Sequence, residues 1–128
     1  MRDISLEGER QIMKDFKEVF NSEEKFYADE GNIFDIISMS LNACTWETSS
    51  MIIMEELSEL IQALSKKNRA NKDNKDAYYD LLEEMADVHI CLIMLLSHFD
   101  IDMDDYDRAF NIKLYRLFNR YAGGKDEK

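Results

Sequence analysis

Two acidic pairs, Glu56/Glu59 and Glu84/Asp87, each stand three residues apart in segments otherwise suited to buried helices. On a helix that spacing places both carboxylates of a pair on one face, one turn apart. Asp87 is the sharper case, because the run from Met85 to Leu96 is apolar except for Asp87 and His89. An ionised carboxylate in apolar surroundings neutralises, pairs with a cation or binds a metal. Two helices that each present such a pair crowd four carboxylates together, or six with Glu55 and Glu83. Repulsion on that scale asks for a divalent cation.

The type of ligand selects the ion. All-carboxylate sites suit hard ions such as Mg²⁺ or Mn²⁺, whereas zinc favours His and Cys, and di-iron bundles use Glu-x-x-His, which this chain lacks. His89 follows Asp87 by two residues and points to a different helix face. Because Mg²⁺ keeps coordination places for water and substrate phosphates, the expected substrate is a polyphosphate.

Glu56-Leu-Ser-Glu59 followed, after residues 60 to 83, by Glu84-Met-Ala-Asp87 resembles the ExxE…ExxD signature of the MazG-like all-α nucleoside triphosphate pyrophosphohydrolases. Around it, Glu55-Glu56-Leu-Ser-Glu59-Leu60 is similar to the EExxEL start of that family's first metal helix. Phe99-Asp100-Ile101-Asp102 is similar to its Gly-Ile-Asp turn, with Phe99-Asp100 in place of the usual glycine, and Asn111-Ile-Lys113-Leu-Tyr-Arg116 to its N-x-K-x-x-R stretch. The resemblance covers residues 45 to 121. It implies a four-helix core completed by dimerisation, as a homodimer or homotetramer, with Glu56, Glu59, Glu84 and Asp87 holding Mg²⁺, or Mn²⁺ in its place. The expected reaction releases a nucleoside monophosphate and pyrophosphate by attack of a metal-activated water, since no serine or cysteine has a convincing base partner.

Glu55 and Glu83 diverge from the four ligands by about a third of a helical turn. Either could take the water's proton, hold a second ion or face solvent. Lys113, Arg116 and Arg120 recur at helical spacing and read as a phosphate clamp, with a solvated face as the alternative. Asn111 could bond a phosphate, a sugar hydroxyl or a ligating carboxylate. Trp46, the only tryptophan, could stack on a nucleobase or fill the core. Two other functions remain open: a phosphoribosyl-ATP pyrophosphatase, and an acidic helical bundle that binds metal without turnover.

Sixteen basic residues against 27 acidic ones give a net charge of −11, which argues against nucleic acid and anionic membranes as partners. With no proline and only four glycines in 128 residues, the composition favours long helices in one all-α domain. Cys44 and Cys91 lie in apolar stretches without metal-ligand spacing and read as buried, reduced thiols. With no signal-like apolar core near residue 1, the expected compartment is the cytoplasm.

The positions of Ile4, Ile12, Phe16, Val19 and Phe20 predict an N-terminal helix within an arm over residues 1–44, placed at the mouth of the site or at a dimer interface. Ser22-Glu-Glu-Lys predicts a second helical segment. A break at Gly31-Asn32 precedes a helix to about Cys44. Thr48 or Ser49 is the expected cap of a helix over 50–67 that buries Ile53, Leu57, Leu60, Ile61 and Leu64, and Asp76 and Asp102 are the expected caps of the next two. The core runs over 45–121, ending near Gly123-Gly124, with a charged tail over 122–128. The nearly all-round apolar surface between Met85 and Leu96 requires neighbours beyond a lone hairpin, hence a second subunit.

Overall fold

Side-chain oxygens set where the helices start. In a computed structural model, which describes residues 15–26 and 29–123, the elements are α1 (Phe16–Phe20), α2 (Glu30–Asn42), α3 (Trp46–Arg69), α4 (Lys75–His98), α5 (Met103–Phe118) and a π-helical turn, Asn119–Gly123. No strand occurs among the described residues. The expected positions of Ile4 and Ile12, and of Gly124 and the tail beyond it, lie outside them.

α3 begins four residues earlier than the sequence suggests. The Thr45 hydroxyl accepts the Thr48 amide at 3.2 Å and donates to the Thr48 hydroxyl at 3.1 Å. Thr45 thereby satisfies an amide that has no intrahelical partner. Thr48 and Ser49 fall inside the helix instead of capping it, and Trp46 is its first residue. Ser49 is buried, with its hydroxyl 3.2 Å from the Cys44 sulfur. Cys44 itself is exposed, contrary to expectation, whereas Cys91 is buried.

Two other boundaries move for the same kind of reason. Asp29 accepts the Asn32 amide at 2.9 Å, so Gly31-Asn32 sits in the first turn of α2 and interrupts nothing. Asn74 accepts the Ala77 amide at 3.1 Å, and the expected cap, Asp76, is instead bound to Lys17 at 2.9 Å. Ser22 starts no helix. Its hydroxyl donates to the Val19 carbonyl at 2.7 Å and accepts the Glu24 amide at 3.3 Å, which closes α1. Asp102 caps α5 as expected, accepting the Asp105 amide at 3.1 Å.

The chain divides into two compact units, Met1–Met94 and Leu95–Lys128. In the first, the five-residue connection 70–74 folds α4 back antiparallel to α3. Lys66 meets Asp80 at 3.3 Å near the turn. Farther from it Glu59 stands opposite Glu84 and Glu56 opposite Asp87, each step down α3 matched by a step up α4. α1 lies on the start of α4 through Lys17–Asp76, a hydrogen bond from the Tyr79 hydroxyl to Asn21 at 3.3 Å, and the Phe20 and Tyr79 rings, whose centroids are 5.5 Å apart.

In the second unit α4 ends in a Schellman turn. The Ile101 amide donates to the Leu96 carbonyl at 3.0 Å and the Asp100 amide to Ser97 at 3.3 Å, with Asp100 at φ 50°. Glycine is the usual occupant of this left-handed position, and aspartate tolerates it better than most side chains.

Burial departs from the sequence expectation. Ile37, Ile53, Ala63, Ala77, Cys91 and Met94 are buried. Leu57 and Leu64 are exposed, as is Ile61 at 70 %, and only Ile53 of the five expected core residues on α3 is fully buried. Met54, Leu57, Ile61 and Leu64 form a bare 3-4-3 seam, the spacing that packs against another helix. On α4, Tyr78, Met85 and Leu92 repeat every seven residues and are exposed too.

The cap at the head of α3 gives a direct test. Thr45→Ala is expected to destabilise the fold by about 1 kcal/mol, and Thr48→Ala by less, since Thr48 contributes its own amide whatever its side chain. Chemical denaturation of both variants measures the difference, and equal losses would place the cap elsewhere.

Candidate functional site

α3 and α4 carry their acidic pairs on the faces that meet. With Glu56 and Glu59 one turn apart on α3, and Glu84 and Asp87 one turn apart on antiparallel α4, each acid of one helix faces an acid of the other. One oxygen from each of Glu56, Glu84 and Asp87 lies within 4.8 Å of the other two. Oε2 of Glu56 and Oε2 of Glu84 are buried and have no hydrogen-bond partner. Glu59 is exposed at the edge, where its carboxylate reaches Glu84.

Such crowding has an electrostatic signature. The Glu56 carboxyl is pushed up to about 7, first by burial and then by the charges of Asp87, Glu59 and Glu84. Glu84 rises to about 7 as well, again through burial first and then through Glu59, Asp87 and Glu83. Asp87 is raised by burial, an effect opposed by its hydrogen bond with Glu56. All three shifts favour the protonated forms, since a proton, like a cation, lessens the repulsion between crowded carboxylates.

Glu83 belongs to the same neighbourhood. It is half-buried, and its pKa is raised by burial and by Asp87, Asp80 and Asp15. Glu55, the other candidate proton acceptor, is exposed on α3. Lys113, Arg116 and Arg120 line one open groove of α5 together with Phe110, Leu114 and Leu117, and none of the three forms an ion pair among the described residues. Asn111 lies on a different groove of the same helix, which Arg116 also borders. These four residues belong to the second unit and the carboxylates to the first. Trp46 is half-buried at the first position of α3.

One feature was not legible in the sequence. Asp15 and Lys17, from the start of α1 and just before it, join Lys66, Tyr79, Asp80 and Glu83 around a polar cleft of about 360 Å³. It brings two lysines to the turn end of an otherwise acidic hairpin. Nothing in the spacing of Lys17 and Asp76, 59 positions apart, announces their contact.

The three converging carboxylates, with two buried oxygens lacking partners, can hold a divalent cation through oxygen donors alone. His89 is exposed and takes no part. Set against protein-family models, curated proteins and solved structures, the chain matches none.

The raised pKa values fix the sign of a pH effect. Glu56 and Glu84 release their protons near 4.5 when unfolded but near 7 when folded, so the folded chain binds more protons in between. Their stabilising contribution is full below about 4.5 and is lost as pH rises through about 7. Asp87 and Glu83 shift in the same direction, while the exposed Asp76, lowered by Lys17, opposes them. Cation-free protein is therefore expected to melt at a lower temperature at about pH 8 than at about pH 5, and Glu56→Gln should flatten the difference. Calorimetry across that range checks it, and a higher melting temperature at the alkaline end would contradict the buried-carboxyl assignment.

Proposed function

We propose that this chain is a Mg²⁺-dependent nucleoside triphosphate pyrophosphohydrolase of the MazG-like type, cleaving a (deoxy)nucleoside triphosphate to the monophosphate and pyrophosphate. The observation that carries the reading is the meeting of Glu56, Glu84 and Asp87 across α3 and α4, with two of their oxygens buried and unpartnered. A structural bundle gains nothing from four acids turned toward one another. Removing a partner from a buried charge is costly, and replacing such groups with apolar residues is often neutral or favourable.

Glu56, Glu84 and Asp87 would hold the ion, with Glu59 completing the set from the edge. Bound there, Mg²⁺ would supply positive charge to a triphosphate and to the departing pyrophosphate, which this acidic chain otherwise repels. Glu83 is the better candidate for accepting the proton of an attacking water. Burial and its acidic neighbours make it a stronger base than an ordinary carboxylate, whereas Glu55 faces solvent. Lys113, Arg116 and Arg120 are the cations we assign to the phosphate chain, Arg by a two-pronged bond and Lys as a point charge. Asn111 would add a hydrogen bond to phosphate or sugar, and Trp46 would stack on the base.

The bare seams on α3 and α4 support a second part of the proposal, that the working form is a homodimer or larger. Contiguous apolar helix faces of this kind mark an association surface, and the 3-4 spacing fits helices of another copy. Among the described residues no helix is long and apolar enough to cross a membrane.

Pyrophosphate release from a panel of triphosphates with Mg²⁺ tests the activity. Glu56→Gln and Asp87→Asn are expected to abolish release while leaving a folded and more heat-stable protein, because each removes charge from a repulsive cluster. Full activity of both with saturating Mg²⁺ would remove the metal assignment. Lys113→Ala and Arg116→Ala should lower kcat along with kcat/KM by roughly ten- to several-hundred-fold, a loss of about 1.5–3 kcal/mol, without weakening Mg²⁺ binding. Unchanged kinetics would return α5 to a solvated face.

Sedimentation tests the assembly. A dimer or larger species should persist across the micromolar range, and a stable folded monomer would show that the seams are tolerated in water.

A further inference from the structure

The bare seams of the hairpin run one residue past its inward faces. On α3, Met54 follows the buried Ile53, Leu57 follows Glu56 and Leu64 follows the buried Ala63; on α4, Tyr78 follows Ala77, Met85 follows Glu84 and Leu92 follows Cys91. One further residue turns the chain about 100° around the helix axis, in the same sense on every helix. Because α3 and α4 run in opposite directions and face each other, equal turns from their inward faces arrive on one side of the hairpin. The two seams therefore make a single apolar face, whose residues, Ile61 included, are 40 to 70 % exposed.

That face is symmetric along its length. On α3, Met54 and Leu57 stand as far before Glu59 as Leu64 and Ile61 stand after it, and on α4, Tyr78 and Leu92 are equally distant from Met85. The Lys66–Asp80 contact at 3.3 Å and the convergence of Glu56 with Glu84 and Asp87 set the register of the hairpin, which puts Glu59 level with the step from Glu84 to Met85. Both seams thus have their midpoints at one height. A two-fold axis at that height, perpendicular to the helices and in the plane of the face, lays each seam on its own copy running the other way. Met54 then meets Leu64 of the second copy, Leu57 meets Ile61, Tyr78 meets Leu92, and Met85 meets its counterpart.

Charge selects the same direction. α3 is acidic where it starts, with Glu47 in its first turn, and basic where it ends, with Lys66, Lys67 and Arg69 in its last. Glu47 and Arg69 are exposed and form no ion pair among the described residues. The 22 residues between them make about six whole turns, which leaves both on one flank of the seam. An antiparallel second copy brings each Glu47 beside the other's Arg69. An axis parallel to the helices would instead set α3 against α4, whose first turn mixes Lys75 with Asp76 and offers no such complement.

We infer that this face docks on a second copy of the chain by two-fold, antiparallel packing of α3 on α3 and α4 on α4, centred at Glu59 and Met85. The inference rests on the proposal that the working form is a homodimer or larger, and supplies its face, direction and register.

The test is disulfide trapping in full-length protein carrying Cys44→Ser, oxidised with copper phenanthroline and read on non-reducing gels, with sedimentation of every variant in its reduced form. Met85→Cys should link to itself. Met54→Cys and Leu64→Cys should each fail alone, because self-contact would have to span about 15 Å of helix where a disulfide allows about 7 Å between Cα atoms, and should link when the two are mixed. Glu47→Arg should weaken the dimer several-fold, and adding Arg69→Glu should restore it. A link between Leu57→Cys and Met85→Cys without a self-link at Met85, or a dimer that traps none of these links, would overturn the geometry and leave the homo-oligomer reading standing. Wild type that sediments as a folded monomer across the micromolar range would overturn both.

Discussion

Repulsion between carboxylates governs this hairpin. Glu56 faces Asp87 and Glu59 faces Glu84 across two antiparallel helices, and burial of the inner oxygens removes the water that would screen them. Protonation or a bound cation relieves the repulsion on such a face. The apolar residues flanking the acids make the problem sharper: the surroundings that pack the helices together are those that raise the energy of the charged forms. The acidic face therefore works against stability, as functional sites often do.

The hairpin was readable in the sequence because its determinants are local. The i,i+3 spacing of the acids, the polar loop after Arg69 and the cap at Asp102 each act within a few residues of where they are written. The start of α3 was ambiguous for a physical reason: Thr45, Thr48 and Ser49 can all cap, and which one does depends on backbone geometry that residue types do not specify. Gly31 looked like a break, but one glycine in the first turn is tolerated once Asp29 satisfies the neighbouring amide. The reading of Leu57, Ile61 and Leu64 as core was a different kind of error. Periodicity reports that a face is apolar and says nothing of what covers it.

The same limit applies within the site. Sequence spacing placed Glu56, Glu59, Glu84 and Asp87 on two helices, but only the antiparallel return of α4 determines which acids meet. That return also separates Glu83 from Glu55. Both sit beside a ligand candidate, yet one is drawn into the acidic neighbourhood and the other is left in solvent. The fold alone thus raises the proton affinity of Glu83.

The attachment of α1 has a kinetic consequence. Lys17 and Asp76 are both well exposed, as are Asn21 and Phe20, so the segment is held by contacts that water and dissolved ions can replace. Exposed ion pairs are worth little and are weakened further by salt. Local opening of a five-residue helix held in this way costs only a small part of the global unfolding free energy. Its amides should therefore exchange with solvent hydrogen long before those of α3 and α4, faster still as ionic strength rises, and the cleft beside Glu83 will spend part of its time with one wall absent.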